Sequence, residues 1–493
     1  MTARPSLVVG IGASAGGIPA LEGFFRFLPA DSGMAFVIIT HLSPDRESLL
    51  HKVVANYTDL TVTVAEDGLP LRPDTVYVMP ENAVLTLRDG HLDMQPGDPL
   101  ARERKPVDVF LVAMAHDLKD RAVGIILSGG DSDGTLGVKA IREAGGVTLA
   151  QMPDGAHGPK NPQMPESAIT TGMVDFVLTV EDMPARLIAL AADRRIAELD
   201  RDQLPAGLTP ALQADISALL RSQTGHDFSG YKSRTFLRRV VRRMQVTQAV
   251  SAEAYIDLLR TSPAEVTELF NDLLINVTNF FRDPEAFAAL KAEILPRLFE
   301  NRGADETIRI WVPGCATGEE AYSLAILMRE EMATRNFPPR VQIFATDIDD
   351  HALSIARSAR YPEQLLKGID PARLDRFFVK EGASRVIAKE VREMCIFSAH
   401  SLISDPPFSR MDLVSCRNLL IYLGSGLQSQ VIPTLHYALR PGGYLFLGSS
   451  EGVSGFGDLF NPVNKPHRIF QARATSSLRR RLPIQIVEHK LRQ

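Results

Sequence analysis

The chain has 493 residues, a formal net charge of −5 and 45% hydrophobic residues; it is long enough for roughly three domains and too mildly charged for the balance alone to mark a nucleic-acid binder. Its three cysteines, Cys315, Cys395 and Cys416, are far apart and form no C-x-x-C pair, which excludes a disulfide framework and a cysteine-rich zinc site; no metal is expected. No apolar run approaches the ~18 to 20 residues of a membrane span and no secretory leader is read, so a cytoplasmic protein is expected, with any membrane link made through a partner.

The first element is the apolar run Leu7 to Ile11, which turns through Gly12-Ala13-Ser14-Ala15-Gly16 into a stretch, Ile18 to Leu28, that reads as helix. This is the G-x-S-x-G pattern of a nucleophile elbow, in which flanking glycines let the strand fold back and leave the serine hydroxyl exposed. The helix behind it points its free N–H groups at the same spot, where an oxyanion would form. The other reading is a phosphate loop, but position 15 is alanine, which breaks G-x-G-x-x-G, and no Walker lysine follows. A nucleophilic serine needs a base and an orienter. The buried-strand pattern AFVIIT from Ala35 ends at His41, and AVGIIL from Ala122 is followed by Ser128-Gly129-Gly130-Asp131-Ser132-Asp133-Gly134. Groups at the carboxyl ends of parallel strands converge in open α/β sheets. His41 on its own reads as a strand-capping histidine, and His91, His116 and His157 are assigned no chemistry.

The first ~190 residues resemble the catalytic domain of the chemotaxis methylesterase CheB, on GASAGG around Ser14, THLSP at His41, KPVDVF from Lys105, and GIILSGGDSDG ending at Gly134. The resemblance implies that Ser14 is the nucleophile, His41 the base and Asp133 the orienter, with the amides of Ala15 and Gly130 at the oxyanion. It also implies a receiver domain ahead of the catalytic part; with the first strand beginning at Leu7, control by the linker or a partner is expected instead.

Residues 181–210 begin as helix and break at Leu204-Pro205-Ala206-Gly207, which places a first domain over 1–190 and a linker over 191–207. From Ala211 to about Leu274 the apolar spacing is helical, so a small helical module is expected over 208–274. Apolar runs at Ile308 to Val312, Val341 to Ala345, Met411 to Ser415 and Tyr444 to Leu447 then alternate with helical stretches, the pattern of a second parallel α/β sheet over 275–473. The expected fold class is therefore α/β, two doubly wound parallel-sheet domains joined by a helical module. After IRIWV comes Pro313-Gly314-Cys315-Ala316-Thr317-Gly318-Glu319-Glu320, a glycine-bearing strand-to-helix turn, and VQIFAT ends in Asp347-Ile348-Asp349. An acid there is placed to accept from a ribose hydroxyl pair, or else to cap the next helix with Asp349 and Asp350. The two glutamates would repel a phosphate and suit a cationic cofactor such as S-adenosylmethionine.

Residues 208–473 are similar to CheR, the S-adenosylmethionine-dependent methyltransferase that esterifies chemoreceptor glutamates, on INVTNFFRD from Ile275, GCATGEEAYS from Gly314, ATDID from Ala345, and CRNLLIY from Cys416 followed by RPGGYLFLGSSE. The resemblance implies that Asn276, Thr278 and Arg282 line the cofactor pocket, Arg282 pairing with its carboxylate. Glu319 would face the methionine moiety, Asp347 the ribose, and Arg417, Asn418 and Tyr422 the region of the sulfonium and substrate. Ser401-Leu402 stands where the family has Asn-Leu. A glutamate with pKa near ~4.3 is already ionised, so methyl transfer needs alignment more than a base, and Tyr422 is read as a positioner.

The segment 360–398 alternates apolar and polar residues in its later half and is expected to form a small β insertion, the receptor-docking element of this family. Lys232 to Arg243 makes a basic amphipathic helix without interleaved aromatics, which argues against nucleic acid. An acidic receptor helix presenting glutamates is the expected partner, with Arg238 and Arg242 in contact. The tail 474–493 is basic. The expectation is a bifunctional enzyme that makes and hydrolyses glutamyl methyl esters, and deamidates glutamine; the alternative is a signalling scaffold whose sites bind without turnover.

Overall fold

A computed structural model of the chain describes residues 4–40, 49–96, 105–153, 158–198, 209–274, 278–366, 368–381 and 384–474. His41, Asn276 and the basic tail beyond 474 lie outside the described residues, as does most of the expected linker. The chain divides into two compact units, Met1–Leu212 with Arg238–Thr261 and Gln213–Leu237 with Ser262–Gln493. The helical stretch expected over 208–274 is thus shared between the units.

The first unit contains β1 (Val8–Ala13), β2 (Ala35–Thr40), β3 (Thr61–Val64), β4 (Thr75–Val78), β5 (Ala83–Arg88), β6 (His91–Pro96), β7 (Ala122–Ile126), β8 (Val147–Gln151) and β9 (Phe176–Leu178). Seven of them form one sheet in the order β3-β4-β2-β1-β7-β8-β9, parallel throughout; β5 and β6 make a separate antiparallel hairpin. Every residue of β1, β2, β7 and β8 is buried, because helices cover both faces and a strand so placed reads as a continuous apolar run. Alternate residues go to opposite faces. Val9 and Ile11 pack with Leu21, Phe24 and Phe25 of the helix Gly17–Arg26, and Val8 packs with Phe110, Leu111 and Met114 of the helix Pro106–Leu118.

The second unit contains β10 (Thr307–Pro313), β11 (Arg340–Asp347), β12 (Arg360–Pro362), β13 (Phe378–Glu381), β14 (Ser384–Ile387), β15 (Cys395–Ala399), β16 (Met411–Cys416), β17 (Leu439–Leu447), β18 (Phe460–Asn464) and β19 (Ile469–Ala472). Its main sheet runs β15-β11-β10-β16-β17-β19-β18. The five strands from β15 to β17 are parallel, and β19 and β18 close the edge antiparallel, an addition to the all-parallel sheet expected. The helix Glu319–Met332 behind β10 buries Ala321, Leu324, Ala325, Leu327 and Met328, so its apolar residues surround it instead of forming a stripe. The insertion is a three-stranded antiparallel sheet, β12-β14-β13. It ends at Ile387, short of the expected 398, and Cys395–Ala399 is a strand of the main sheet. Among the described residues no helix is long and apolar enough to cross a membrane.

Both sheets reverse their winding beside the first strand of the unit. After β1 the chain builds outward through β2, then returns to place β7 on the other side; after β10 it builds through β11 and β15, then returns to β16. Such switch points leave a crevice at the carboxyl ends of the two flanking strands.

Candidate active sites

In the first unit the crevice lies between the ends of β1 and β7. Ser14 follows β1 directly, half-buried, and its amide donates to the carbonyl of Ser128 across the crevice (2.9 Å). Gly16 closes the turn at φ 75°. A Cβ there would sit 2.8 Å from both Lys160 Cβ and Ser128 Oγ, so glycine is required for conformation and for space. The carbonyl of Ala15 accepts from Ser128 Oγ (2.9 Å) and Asn161 Nδ2 (3.0 Å). These bonds fix the elbow against two other loops and leave Ala15 and Gly130 exposed beside it.

Asp133 is fully buried at the entry to the helix Thr135–Ala144. Its Oδ2 accepts from Val107 N (3.0 Å) and its Oδ1 from Asp108 N (2.9 Å) and Gly134 N (2.9 Å). Two of those amides belong to the first turn of the helix Pro106–Leu118, which lacks intrahelical partners for them. Asp131 supports the loop instead, accepting from Asp133 N (2.8 Å) and pairing with Lys105 (3.1 Å). The carboxylate in the better-fixed position is thus Asp133. The base expected at His41 follows the buried end of β2 and lies outside the described residues.

In the second unit a cleft opens at the ends of β10, β11 and β16, where the switch point of a parallel sheet leaves room for a ligand. The turn after β10 is held by amides of Gly314 and Cys315 donating to Thr346 O (2.7 and 3.0 Å). Asp347 Oδ2 accepts from Ala316 N (2.8 Å) and its Oδ1 from Ile348 N (2.7 Å) and Asp349 N (3.0 Å). Burial pushes the Asp347 carboxyl up, the backbone amides of Ala316 and Asp349 pull it down, and the net shift is upward. Helix capping belongs to Asp349, which accepts from Ala352 N (3.0 Å); Asp347 is left on the cleft wall.

The two glutamates separate. Glu319 is buried and accepts from Thr317 Oγ1 (2.6 Å). Glu320 lines the cleft and accepts from Ser415 Oγ at 2.6 Å. Glu319 was the glutamate expected to face the cofactor, and the one found on the cleft wall is its neighbour, since successive helical residues point about 100° apart. Burial raises the Glu320 carboxyl to about 7 against the pull of Arg417 and Ser415. Thr278, Arg282, Ser401, Leu402, Arg417, Asn418 and Tyr422 also line the cleft. Arg417 is enclosed: its guanidinium lies over Phe446 (4.6 Å) and Phe287 (5.0 Å) and pairs with Asp283 (2.7 Å). Its charge therefore acts on Glu320 and Asp283 from within the wall.

Sequence reasoning missed Tyr231 and His400, which also line the cleft. Tyr231 arrives through a bridge to Leu423, supported by Lys232 N donating to Tyr422 O (3.0 Å) and Gly424 N to Gly230 O (2.9 Å). Burial raises its phenol to about 12, with the charge of Asp347 adding to the effect. His400 precedes Ser401-Leu402, and that adjacency was the available signal; no local pattern marks Tyr231. Arg238 is exposed. Arg242, the other expected receptor contact, is buried in the first unit, where it pairs with Asp175 beside Arg142 (2.6 Å). That corrects the expectation, because a guanidinium committed to a buried carboxylate is withdrawn from a partner.

Residues with this chemistry match three family models: CheB methylesterase over 9–187, the all-alpha domain of CheR methyltransferase over 214–274, and its SAM binding domain over 276–469. An uncharacterised 104.1 kDa protein of Rhodobacter capsulatus is 37% identical over 85% of this chain and 46% of its own length. The present chain thus spans about half the length of that relative. The putative methyltransferase Cher3 of Pseudomonas putida is 34% identical over 50% of this chain and 91% of its own. Among solved structures, the Thermotoga maritima CheB methylesterase catalytic domain is 30% identical, with 37% of this chain and 98% of that one covered and a TM-score of 0.34. The chain belongs to the CheR methyltransferase family and carries a CheB methylesterase domain ahead of it, a CheB–CheR fusion.

Proposed function

We propose that this chain removes and installs methyl esters on glutamates of a chemoreceptor-like helical substrate in the cytoplasm. In the first unit Ser14 Oγ attacks the ester carbonyl while His41 takes its proton; methanol leaves with that proton, and water then hydrolyses the acyl-serine to free carboxylate. Asp133, fixed by three amides, orients the histidine. The same sequence with ammonia as leaving group deamidates glutamine.

In the second unit S-adenosylmethionine supplies, when bound, an electrophilic methyl group on a sulfonium. Asp347 faces the ribose hydroxyls, Glu320 the cationic part and Arg282 the carboxylate, while Asn418 and Tyr422 align the incoming glutamate. That carboxylate is ionised at neutral pH, so the cleft contributes by desolvating and aligning it. Arg238, on the exposed face of its helix, contacts the acidic substrate.

The observation that carries the reading is the cleft at the β10–β16 switch point, where Asp347 and Glu320 share the lining with Arg282. A cofactor with a ribose, a cation and a carboxylate matches those three. The test has two arms. Methanol release from a methylated receptor peptide is expected from the native chain and lost in Ser14→Ala; equal rates would refute the triad. Calorimetry with S-adenosylhomocysteine is expected to show binding that Asp347→Ala weakens at least tenfold; no heat from the native chain would favour a scaffold.

A further inference from the structure

Glu451 follows β17, is buried, and takes no part in the cleft wall. Yet four backbone amides converge on its carboxylate. Oε2 accepts from Asn418 N (2.8 Å) and Gly448 N (2.7 Å), and Oε1 from Leu420 N (2.7 Å) and Ile421 N (3.3 Å). Three of those donors belong to the segment after β16 that presents Asn418 and Tyr422 to the cleft. Asn418 stands at φ 59°, a left-handed conformation that asparagine tolerates better than most residues. Gly448 makes room: a Cβ there would lie 2.8 Å from Glu451 Oε2 and 2.9 Å from Asn418 N.

We propose that Glu451 is a positioning residue of the methyltransferase site, whose carboxylate folds residues 418–422 into the shape that serves cofactor and substrate. The inference rests on the reading of this cleft as the S-adenosylmethionine site. The groups facing Glu320 are Arg417 and Cys416 from the end of β16, Arg282, Cys315 from the turn after β10, and Glu451. Burial keeps both thiols neutral. Burial is the main push that raises Glu320, and Glu451 adds to it against Arg417, Ser415 and Arg282.

The charge of the carboxylate and its reach separate experimentally. In Glu451→Gln the amide nitrogen replaces one oxygen, so two of the four amides lose their acceptor and the negative charge disappears. Glu451→Asp keeps the charge and shortens the reach. The measurement is S-adenosylhomocysteine affinity by calorimetry on the full chain between pH 6 and 9. Both variants are expected to bind about tenfold more weakly at pH 8, as loss of charge-assisted hydrogen bonds implies. Only Glu451→Gln should move the pH midpoint of binding, and downward, because Glu320 then ionises more readily; a purely structural role would leave it in place. Native affinity in Glu451→Gln, or an equal midpoint shift in both variants, overturns the proposal. Absence of binding by the native chain overturns the cleft reading and this inference with it.

Discussion

Replacing Glu320 with glutamine tests the electrostatics of the cleft without a ligand. Its carboxyl rises from 4.5 to about 7 on folding. Below pH 4.5 it is protonated in both the folded and unfolded chain and contributes no pH dependence. As pH rises towards 7 the unfolded chain releases the proton while the folded one retains it, so stability falls, and above 7 the loss is complete. At 1.36 kcal/mol per pKa unit the full cost is about 3 kcal/mol; the side chain opens partly onto the cleft, and screening reduces that to about 2 kcal/mol. Glutamine keeps an acceptor for Ser415 Oγ and removes the titration. Trp311, the sole tryptophan, is fully buried in β10, so its fluorescence reports unfolding of the second unit. Urea unfolding at pH 5 and pH 8 should show the variant gaining about 2 kcal/mol on the native chain between the two. A difference between the chains that does not change with pH would refute the assignment of a raised carboxyl at Glu320.

Asp133→Asn should reduce methanol release by about 10⁴-fold and lower the thermal midpoint of the first unit, because an amide nitrogen cannot accept from the helix amides; retained esterase activity would remove Asp133 from the triad. Arg242→Ala should cost about 2 kcal/mol, less than for an isolated buried pair because Arg142 and Thr148 still serve Asp175. Burial raises the Asp175 carboxyl but Arg242 and Arg142 outweigh it and hold it low, so this cost should fade as acid protonates the carboxyl, at a pH below the ordinary aspartate range; a cost unchanged by acid would contradict the pairing. Tyr361→Phe removes the bond from the phenol to Thr317 O (2.6 Å). It should destabilise the second unit by about 1 kcal/mol and weaken S-adenosylhomocysteine binding several-fold in calorimetry; native affinity would show that β12 does not brace the cofactor turn.

The central strands β1, β2 and β7 were legible because burial on both faces demands continuous apolar runs; β10 and β11 keep polar Arg309 and Gln342 on their less buried sides and were legible from the apolar residues around them. β15 was not, because at the sheet edge it buries little, and Ser398 and Ala399 are exposed. The short β3 and β9 are half-covered for the same reason. At the cofactor turn the sequence shows two adjacent carboxylates, and only the phase at which the helix starts behind Gly318 decides that Glu320 meets the cleft. Arg238 and Arg242 share a helical face at four-residue spacing, so both read as solvated. What buries Arg242 is Asp175, a tertiary partner 67 residues away that no local pattern can reveal.

The two sites share one construction and opposite electrostatics. Each stands where a parallel sheet reverses its winding, with a glycine turn on the first strand and a loop on the returning strand, so the backbone geometry alone supplies a crevice in both. The residues then set the charge. The helix Gly17–Arg26 starts three residues after Ser14, and its N-terminus favours a developing oxyanion there. Around Asp347 and Glu320 two carboxyl groups share the wall with Arg282 and Arg417, and backbone amides that would attract an anion are already engaged by Asp347 and Glu451. Ester hydrolysis passes through negative charge and methyl transfer begins from positive charge. In the reading proposed above one fold plan serves two opposed reactions, and the second crevice commits backbone amides to its own carboxylates.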